Sequence, residues 1–333
     1  MTQIQTGSPV AEGPARTRTE GEGRARLVGT LPFLVLVALT LVISIQQPTF
    51  LSVPSVRGLL ESMTPILLLA IGQTFVILTG GIDLSFAVTA SFGTVLLAMW
   101  IPDLGGLAVV AVLAVTTLIG LVNGLVIAKA QIPSFIATLG ALGLYSGLGL
   151  AISGASTIRI STGYHAIGWI TDLRVAQMPL AAVLVIGLAI AVSVGMRALA
   201  HGRDFHATGL AEKALLMSGG STVTIRVLAF TLCSLFSGLA AVVLAASQHS
   251  GGPTLADTLQ LPAIAAVVIG GTAITGGVGG ALKTTVGALI IVVLRVGLSV
   301  IGVDPSYEQI FYGVVIIAAV VLTIDRSRLQ VVK

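Results

Sequence analysis

Few side chains in this chain are equipped for chemistry, and the most informative stand in Gly72-Gln-Thr-Phe-Val-Ile-Leu-Thr-Gly-Gly-Ile-Asp-Leu-Ser85. An apolar helix here meets a double glycine, then a single carboxylate, Asp83, and a hydroxyl, Ser85. A carboxylate isolated among apolar residues is costly, so it is paired or used. Two compatible roles are open to it. Asp83 or Ser85 caps the helix that follows, or Asp83 serves a polar path. Gly80 and Gly81 supply a backbone geometry that a β-carbon opposes. Gln73, Thr79 and Asn123 are neutral polar groups in apolar runs, suited to hydrogen bonds between helices or to a hydroxylated solute.

The remaining candidates are weaker. Ala263 to Gly280 carries six glycines in 18 residues, Gly270 and Gly271 among them, which fits tight helix packing or a hinge. Lys283-Thr284 looks like the close of a phosphate loop, but G-x-x-x-x-G-K-[ST] requires glycine where Leu282 stands. No cofactor is therefore expected on this chain. Cys233 is the one cysteine, and His165, His201, His206 and His249 lack ligand spacing, so no disulfide or metal site is expected. No nucleophile–base pair points to an enzyme. Arg295, deep in an apolar run, snorkels, pairs with Asp304 or Glu308, or serves a path or subunit contact. Arg57 and Glu61 are spaced for a local ion pair.

The elements that must hold these residues are apolar helices. Of 333 residues 55% are hydrophobic and only 9% charged, with mean hydropathy +1.06. Soluble domains carry about 25% charged residues, so most of this chain faces lipid or other apolar helices. A span needs roughly 20 apolar residues. Ten runs qualify: 28–46, 57–78, 84–101, 105–128, 134–153, 177–196, 223–247, 258–273, 282–301 and 309–324. Strand-like alternation is absent, which argues against an outer-membrane barrel. The expectation is an all-α polytopic membrane protein of about ten spans. Irregular backbone at Gly80 to Ser85 survives in hydrocarbon only where protein or a water-filled path surrounds it, so a re-entrant or broken helix is expected there.

With the N-terminus inside and ten crossings, 13 of the 17 Lys and Arg fall on the inner side. Arg57, Arg159 and Arg174 fall outside, and Arg295 lies within a span. That asymmetry puts both ends in the cytoplasm; without interleaved aromatics it does not mark a nucleic-acid surface. Residues 1–27 read as a disordered cytoplasmic tail, 28–325 as the membrane domain and 326–333 as a cytoplasmic tail. The first apolar run is span-length and lacks a cleavage site, so it is read as retained.

Two connections are long. The stretch 154–176 falls outside and holds Tyr164, His165 and Trp169, the last suited to the membrane interface. The stretch 197–222 falls inside and is charged. Within it Leu210 to Ser218 reads as a short helix, with Thr208 as N-cap and Gly219 past its end. Leu210, Ala214 and Met217 share one face, leaving Glu212 and Lys213 towards water. Val76-Ile-Leu-Thr-Gly-Gly81 is echoed by Val267-Val-Ile-Gly-Gly-Thr272. Glycine-interrupted segments in two halves point to a substrate path in many transporters, so two pseudo-repeated halves are expected.

Val76 to Ser85 resembles the VILTGGIDLS signature of membrane permeases of bacterial sugar importers, the ribose/xylose/galactose type of binding-protein-dependent ATP-binding-cassette transporters. Pro133 to Gly140 resembles that family's xxFIATLG helix start, Gly202 to Gly219 its GRxxxAxGgN…AAxxxGI loop, and Ala263 to Gly280 its AIAAVVLGGTSLxGGxG run. The likeness covers about Leu51 to Leu322, with departures at Phe86, Leu210, Pro262 and Arg295.

The resemblance implies import of a monosaccharide or related small polyol by alternating access across the bacterial cytoplasmic (inner) membrane. It makes 203–219 a coupling loop, with Gly202, Arg203, Gly209, Glu212, Lys213, Ala214 and Met217 set against an ATPase. Its candidates for pathway or hinge are Gln73, Gly80, Gly81, Asp83, Ser85, Asn123, Phe135, Gly270, Gly271 and Arg295. It implies an ATPase subunit holding ATP and Mg, an extracytoplasmic sugar-binding protein, and a second permease, either a copy or a paralogue. The lipid bilayer is the remaining partner, and no nucleic acid is expected. The rivals are a nucleoside, an autoinducer-like sugar derivative or a branched-chain amino acid as cargo, or an ion-coupled transporter.

Overall fold

The computed structural model describes residues 18–323. These form α1 (Arg18–Gln46), α2 (Val53–Leu78), α3 (Phe86–Leu104), α4 (Leu107–Ala130), α5 (Ser134–Ser153), α6 (His165–Asp172) and α7 (Leu180–Ala198). They continue as α8 (Ala200–Leu210), α9 (Glu212–Met217), α10 (Thr222–Gln248), α11 (Gln260–Ile269), α12 (Ala281–Val300) and α13 (Glu308–Thr323). Two antiparallel ladders of two residues per strand tie loops together: β1 (Ile158–Arg159) with β4 (Ser250–Gly251), and β2 (Arg174–Val175) with β3 (Met178–Pro179).

Seven helices, α2, α3, α4, α5, α7, α10 and α12, are long and apolar enough to cross a membrane. Thr30–Gln46, Asp257–Ile269 and Pro305–Val321 are apolar but shorter. The fold is therefore all-α and polytopic, with seven helices of spanning length among the described residues where ten runs were expected. The shortfall at 258–273 has a local cause. α11 stops at Ile269 because Gly271 turns to φ +87°, which leaves about 15 Å of helix against a hydrocarbon core of about 30 Å. α1 begins at Arg18, inside the stretch expected to be a tail; Glu20 with Arg24 and Glu22 with Arg26 have the i, i+4 spacing that favours a helix. The rest of the expected tails, 1–17 and 326–333, lies outside the described residues.

α10 forms the centre, packed along α2, α3 and α4. It can do so because small residues face it. Gly120 and Gly124 of α4 press on the α10 backbone at Phe230 and Val227, and a β-carbon at Gly72 of α2 would come 2.9 Å from the Cys233 carbonyl oxygen. In an apolar solvent such close backbone approach is what holds helices together. α2 is buried throughout Met63 to Leu78. α12 packs on α1, α2, α7 and α11, and its Thr284 Oγ1 lies 2.8 Å from Thr74 Oγ1 of α2. α5 leans on α3 and α4 by one side only, leaving Phe135, Ile136, Leu139 and Leu144 exposed.

The loop after α5 is more ordered than its polarity implied. α6 buries Ile167 and Ile170, and the Tyr164 ring stacks on His249 at 4.2 Å. Trp169 is half-exposed and donates from Nε1 to the Ala166 carbonyl. Arg57 does not pair with Glu61; its Nε donates to the Gln177 carbonyl at 3.2 Å. Arg295 pairs with Glu308 at 3.2 Å. Asp304 instead accepts from the Ser306 N–H and hydroxyl, which hold its carboxyl below the ordinary carboxylate range.

Candidate functional site

α2 ends in a left-handed cap. Gly80 takes φ +76°, its N–H donates to the Ile77 carbonyl, and the Gly81 N–H reaches back to the Val76 carbonyl at 3.1 Å. This is the Schellman arrangement, and glycine suits its left-handed position. Gly81 has no left-handed φ; what keeps it small is space, since a β-carbon would lie 3.2 Å from Val76 Cγ1. The expectation that both glycines supply unusual geometry is thus corrected to Gly80 alone.

The chain then runs inward for four residues before α3 begins, and neighbouring helices satisfy its backbone. The Ile82 N–H donates to Ser134 Oγ at 3.0 Å and the Leu84 N–H to Thr138 Oγ1 at 3.0 Å, both from α5. Gln73 Nε2 of α2 donates to the Asp83 carbonyl at 3.3 Å. Asn123 Nδ2 of α4 donates to Ser85 Oγ at 3.3 Å, and Cys233 Sγ of α10 lies 3.7 Å from Gln73 Oε1. Four helices therefore feed polar groups into one break, as hydrocarbon demands of irregular backbone.

Asp83 is fully buried. Its Oδ1 accepts the Ser85 N–H and the Ser85 hydroxyl, each at 2.7 Å. Ser85 occupies the cap position of α3 but makes no side-chain cap hydrogen bond. Asp83 therefore fixes the turn that leads into the helix, by an Asx-type bond two residues on. Neither ion pair among the described residues involves Asp83.

Beside the break lies a cavity of about 300 Å³ lined by Thr79, Gly80, Gly81, Gln131, Ser134, Arg226 and Phe230 among others. That volume is at the lower end of small-molecule sites, which run to about 1,000 Å³. The lining residue Arg226 of α10 donates from Nη2 to Glu212 Oε2 of α9 at 3.0 Å.

The structure gathers Gln73, Gly80, Gly81, Asp83, Ser85 and Asn123 at this break. It does not bring Arg295 there, and Phe135 is exposed on α5. Gly271 caps α11 as Gly80 caps α2: its N–H donates to Val268 O, and the Thr272 N–H reaches Val267 O at 3.1 Å. The two echoed sequences match cap for cap. The same cap also closes α9 at Gly219 and α12 at Gly302, so it does not by itself define a repeat. Gly270 is a packing contact, its α-carbon lying against the Lys283 carbonyl.

The charged loop differs most from expectation. It is two helices, broken at Ala211, where φ −155° and ψ 67° leave helical space. Thr208 lies inside α8 and bonds the Asp204 carbonyl, so it caps nothing. Leu215 is the buried residue of α9, while Leu210, Leu216 and Met217 are exposed, Met217 by 90%. Glu212 faces Arg226 as well as water. Arg203, Lys213 and Ala214 are exposed, and Gly202 is buried against Met196 of α7.

Sequence reasoning missed Ser134 and Thr138, whose i, i+4 spacing on α5 was the available signal. It also missed a second staple: Ser91 Oγ donates to Asp257 Oδ1 at 2.8 Å and accepts the Ala256 N–H at 2.9 Å. Thr94 Oγ1, one helical turn further, accepts the Gly252 N–H at 3.0 Å.

Fold and site together define a polytopic α-helical membrane protein with a buried polar break between two spans. A family model described as branched-chain amino acid transport system / permease component matches residues 55–320. The chain belongs to that family of transport permeases. It is 35% identical to the ribose import permease protein RbsC of Bacillus subtilis (strain 168) over 89% of this chain and 92% of the relative. It is 32% identical to the ribose import permease protein RbsC of Escherichia coli (strain K12), over 90% and 94%. Identity to the autoinducer 2 import system permease protein LsrC of Escherichia coli (strain K12 / DH10B) is 32%, over 82% and 80%. No solved structure matches the chain significantly.

Proposed function

We propose that this chain is the membrane-spanning subunit of an ATP-binding-cassette importer that moves a monosaccharide or related small polyol into the bacterial cytoplasm. The observation that carries this reading is the match to ribose import permeases along about nine-tenths of both chains. The chemistry of the break supports it. Gln73, Ser85, Asn123, Ser134 and Thr138 are neutral donors and acceptors, the kind of group that recognises hydroxyls at a small-molecule site. A zwitterionic amino acid asks for paired opposite charges, and neither ion pair among the described residues involves Asp83. Identity to an autoinducer 2 import permease favours one second reading, a sugar-derived signal molecule as cargo.

In this reading the ten apolar segments, α11 entering the bilayer as a shortened one, leave both ends in the cytoplasm, the α8–α9 end faces inward, and two related halves flank the path. The charge asymmetry supports that orientation. An ATPase carrying ATP and Mg docks on α9, whose exposed Leu216 and Met217 form apolar surface of the sort that marks protein contacts. A second permease subunit and an extracytoplasmic binding protein complete the assembly. ATP-driven closure of the ATPase shifts the permease pair between outward and inward states.

Uptake by the chain reconstituted with its ATPase and binding protein tests the cargo. Labelled ribose, xylose, galactose, an autoinducer-2-type sugar derivative and leucine are offered in turn. ATP-dependent uptake of a sugar or sugar derivative is expected; uptake of leucine alone would replace the reading with amino-acid transport.

A further inference from the structure

Three segments distant in sequence meet backbone to backbone at the α8 end of α2. The Gly277 N–H donates to the Leu78 carbonyl, the last of α2, at 2.8 Å. Gly209 of α8 lies against both groups, so that a β-carbon on it would overlap the Leu78 oxygen and the Gly277 nitrogen. A β-carbon on Gly276 would lie 2.8 Å from the Gly80 nitrogen and 3.0 Å from the Gly209 α-carbon. His206, one turn earlier on α8, places Nδ1 3.0 Å from the Gly277 carbonyl oxygen. That oxygen only accepts, so Nδ1 carries the proton.

Gly209 has no left-handed φ, so the helix does not require glycine there. A glycine inside a helix costs about 1 kcal/mol relative to alanine. Its presence is explained by space: only a residue without a side chain lets α8 touch both glycine turns at once. Side-chain contacts can yield by rotamer changes, whereas backbone packed on backbone is stiff and passes displacement on.

We infer that Gly209 is a positioning residue for coupling, locking the α8–α9 loop to the Gly80 and Gly277 turns so that movement of the loop moves the Asp83 break. The inference rests on the ATP-driven reading above and names how that drive reaches the membrane. Gly80 stands three residues from Asp83, with the α2 cap between the loop and the buried network. His206 ties the same loop to the opposite turn.

The test is the number of solute molecules imported per ATP hydrolysed by the complete reconstituted transporter. Gly209→Ala should lower that ratio about tenfold, within the range of coupling changes from residues that touch neither ligand. His206→Ala should lower it about threefold, and His206→Asn, whose amide nitrogen takes the place of Nδ1, should restore it. A ratio at the wild-type value in Gly209→Ala overturns the inference. If that variant fails to assemble, equal ratios for wild type, His206→Ala and His206→Asn overturn it instead. A wild-type complex without ATP-dependent import would fail the functional reading; one that imports while these ratios stay fixed fails this inference alone.

Discussion

Asp83 works through one oxygen, and the substitutions around it should rank accordingly. Asp83→Asn keeps a carbonyl oxygen for the Ser85 N–H and should import at close to the wild-type rate. Asp83→Ala leaves that buried N–H and the Ser85 hydroxyl without their acceptor, at a cost of about 1–3 kcal/mol, and should import more slowly. Gly81→Val should block import outright, because the space toward Val76 and Phe230 is already filled. Uptake by proteoliposomes with equal amounts of assembled protein reads the order. Loss of import in Asp83→Asn, with the other two variants assembled, would make the negative charge itself essential. Thr138→Ala should lower thermal stability by about 1–3 kcal/mol through the orphaned Leu84 N–H, and Thr138→Ser should not; an unchanged melting temperature for Thr138→Ala would remove that bond from the account. Asp83, Gly80 and Gly81 were legible because an isolated carboxylate and paired glycines are anomalies in an apolar run. Ser134 and Thr138 were not, since single hydroxyls in helices ordinarily bond their own backbone, as Thr138 does at the Ser134 carbonyl, and only tertiary packing adds the bonds they accept from the break.

Apolar helices of spanning length were the most legible elements, because length and hydropathy alone define them. Their ends were less so. α11 is short because the chain turns out of helical space at Gly271, and composition reads the same residues as a continuing apolar run. The charged loop of 197–222 was misread for another reason. One helix was expected from Leu210 to Ser218, whereas contacts with distant residues, Gly209 on the Gly277 turn and Glu212 on Arg226, set two helices with a break at Ala211. The corrected element changes the informative variant. A proline at Ala214 would remove the Ala214 N–H bond to the Ala211 carbonyl and so would confound docking with the folding of α9. Met217→Glu alters a side chain that is 90% exposed; surface changes of this kind cost within about 0.5 kcal/mol of folding stability. If α9 docks on the ATPase, Met217→Glu should weaken that association by more than about 1 kcal/mol, as loss of an apolar anchor does. Solute-stimulated ATP hydrolysis as a function of ATPase concentration reads the shift, and a wild-type curve would free α9 from the docking role.

The described residues combine a packed centre around α10 with apolar outer faces on α5 and α13, which suits a subunit that packs against lipid and other apolar surfaces. The proposed orientation rests on the excess of Lys and Arg in the stretches expected on the inner side. In a Cys233→Ser background, a cysteine at Ser156 should be labelled by an impermeant maleimide from outside the cell, and one at Lys213 only after the membrane is opened. The reverse pattern would invert the topology and remove α9 from reach of a cytoplasmic ATPase.

The central claim is that ATP, through a partner subunit, drives this chain to carry a sugar inward. The most direct measurement is accumulation of the labelled sugar in proteoliposomes holding the permease, its ATPase and its binding protein, with a protonophore and a sodium ionophore present. The account predicts concentrative uptake that requires ATP on the ATPase side, is unaffected by either ionophore and disappears without the binding protein. Uptake that proceeds without ATP and collapses when an ion gradient is dissipated would contradict it, and would make Asp83 the carboxylate of an ion-coupled transporter.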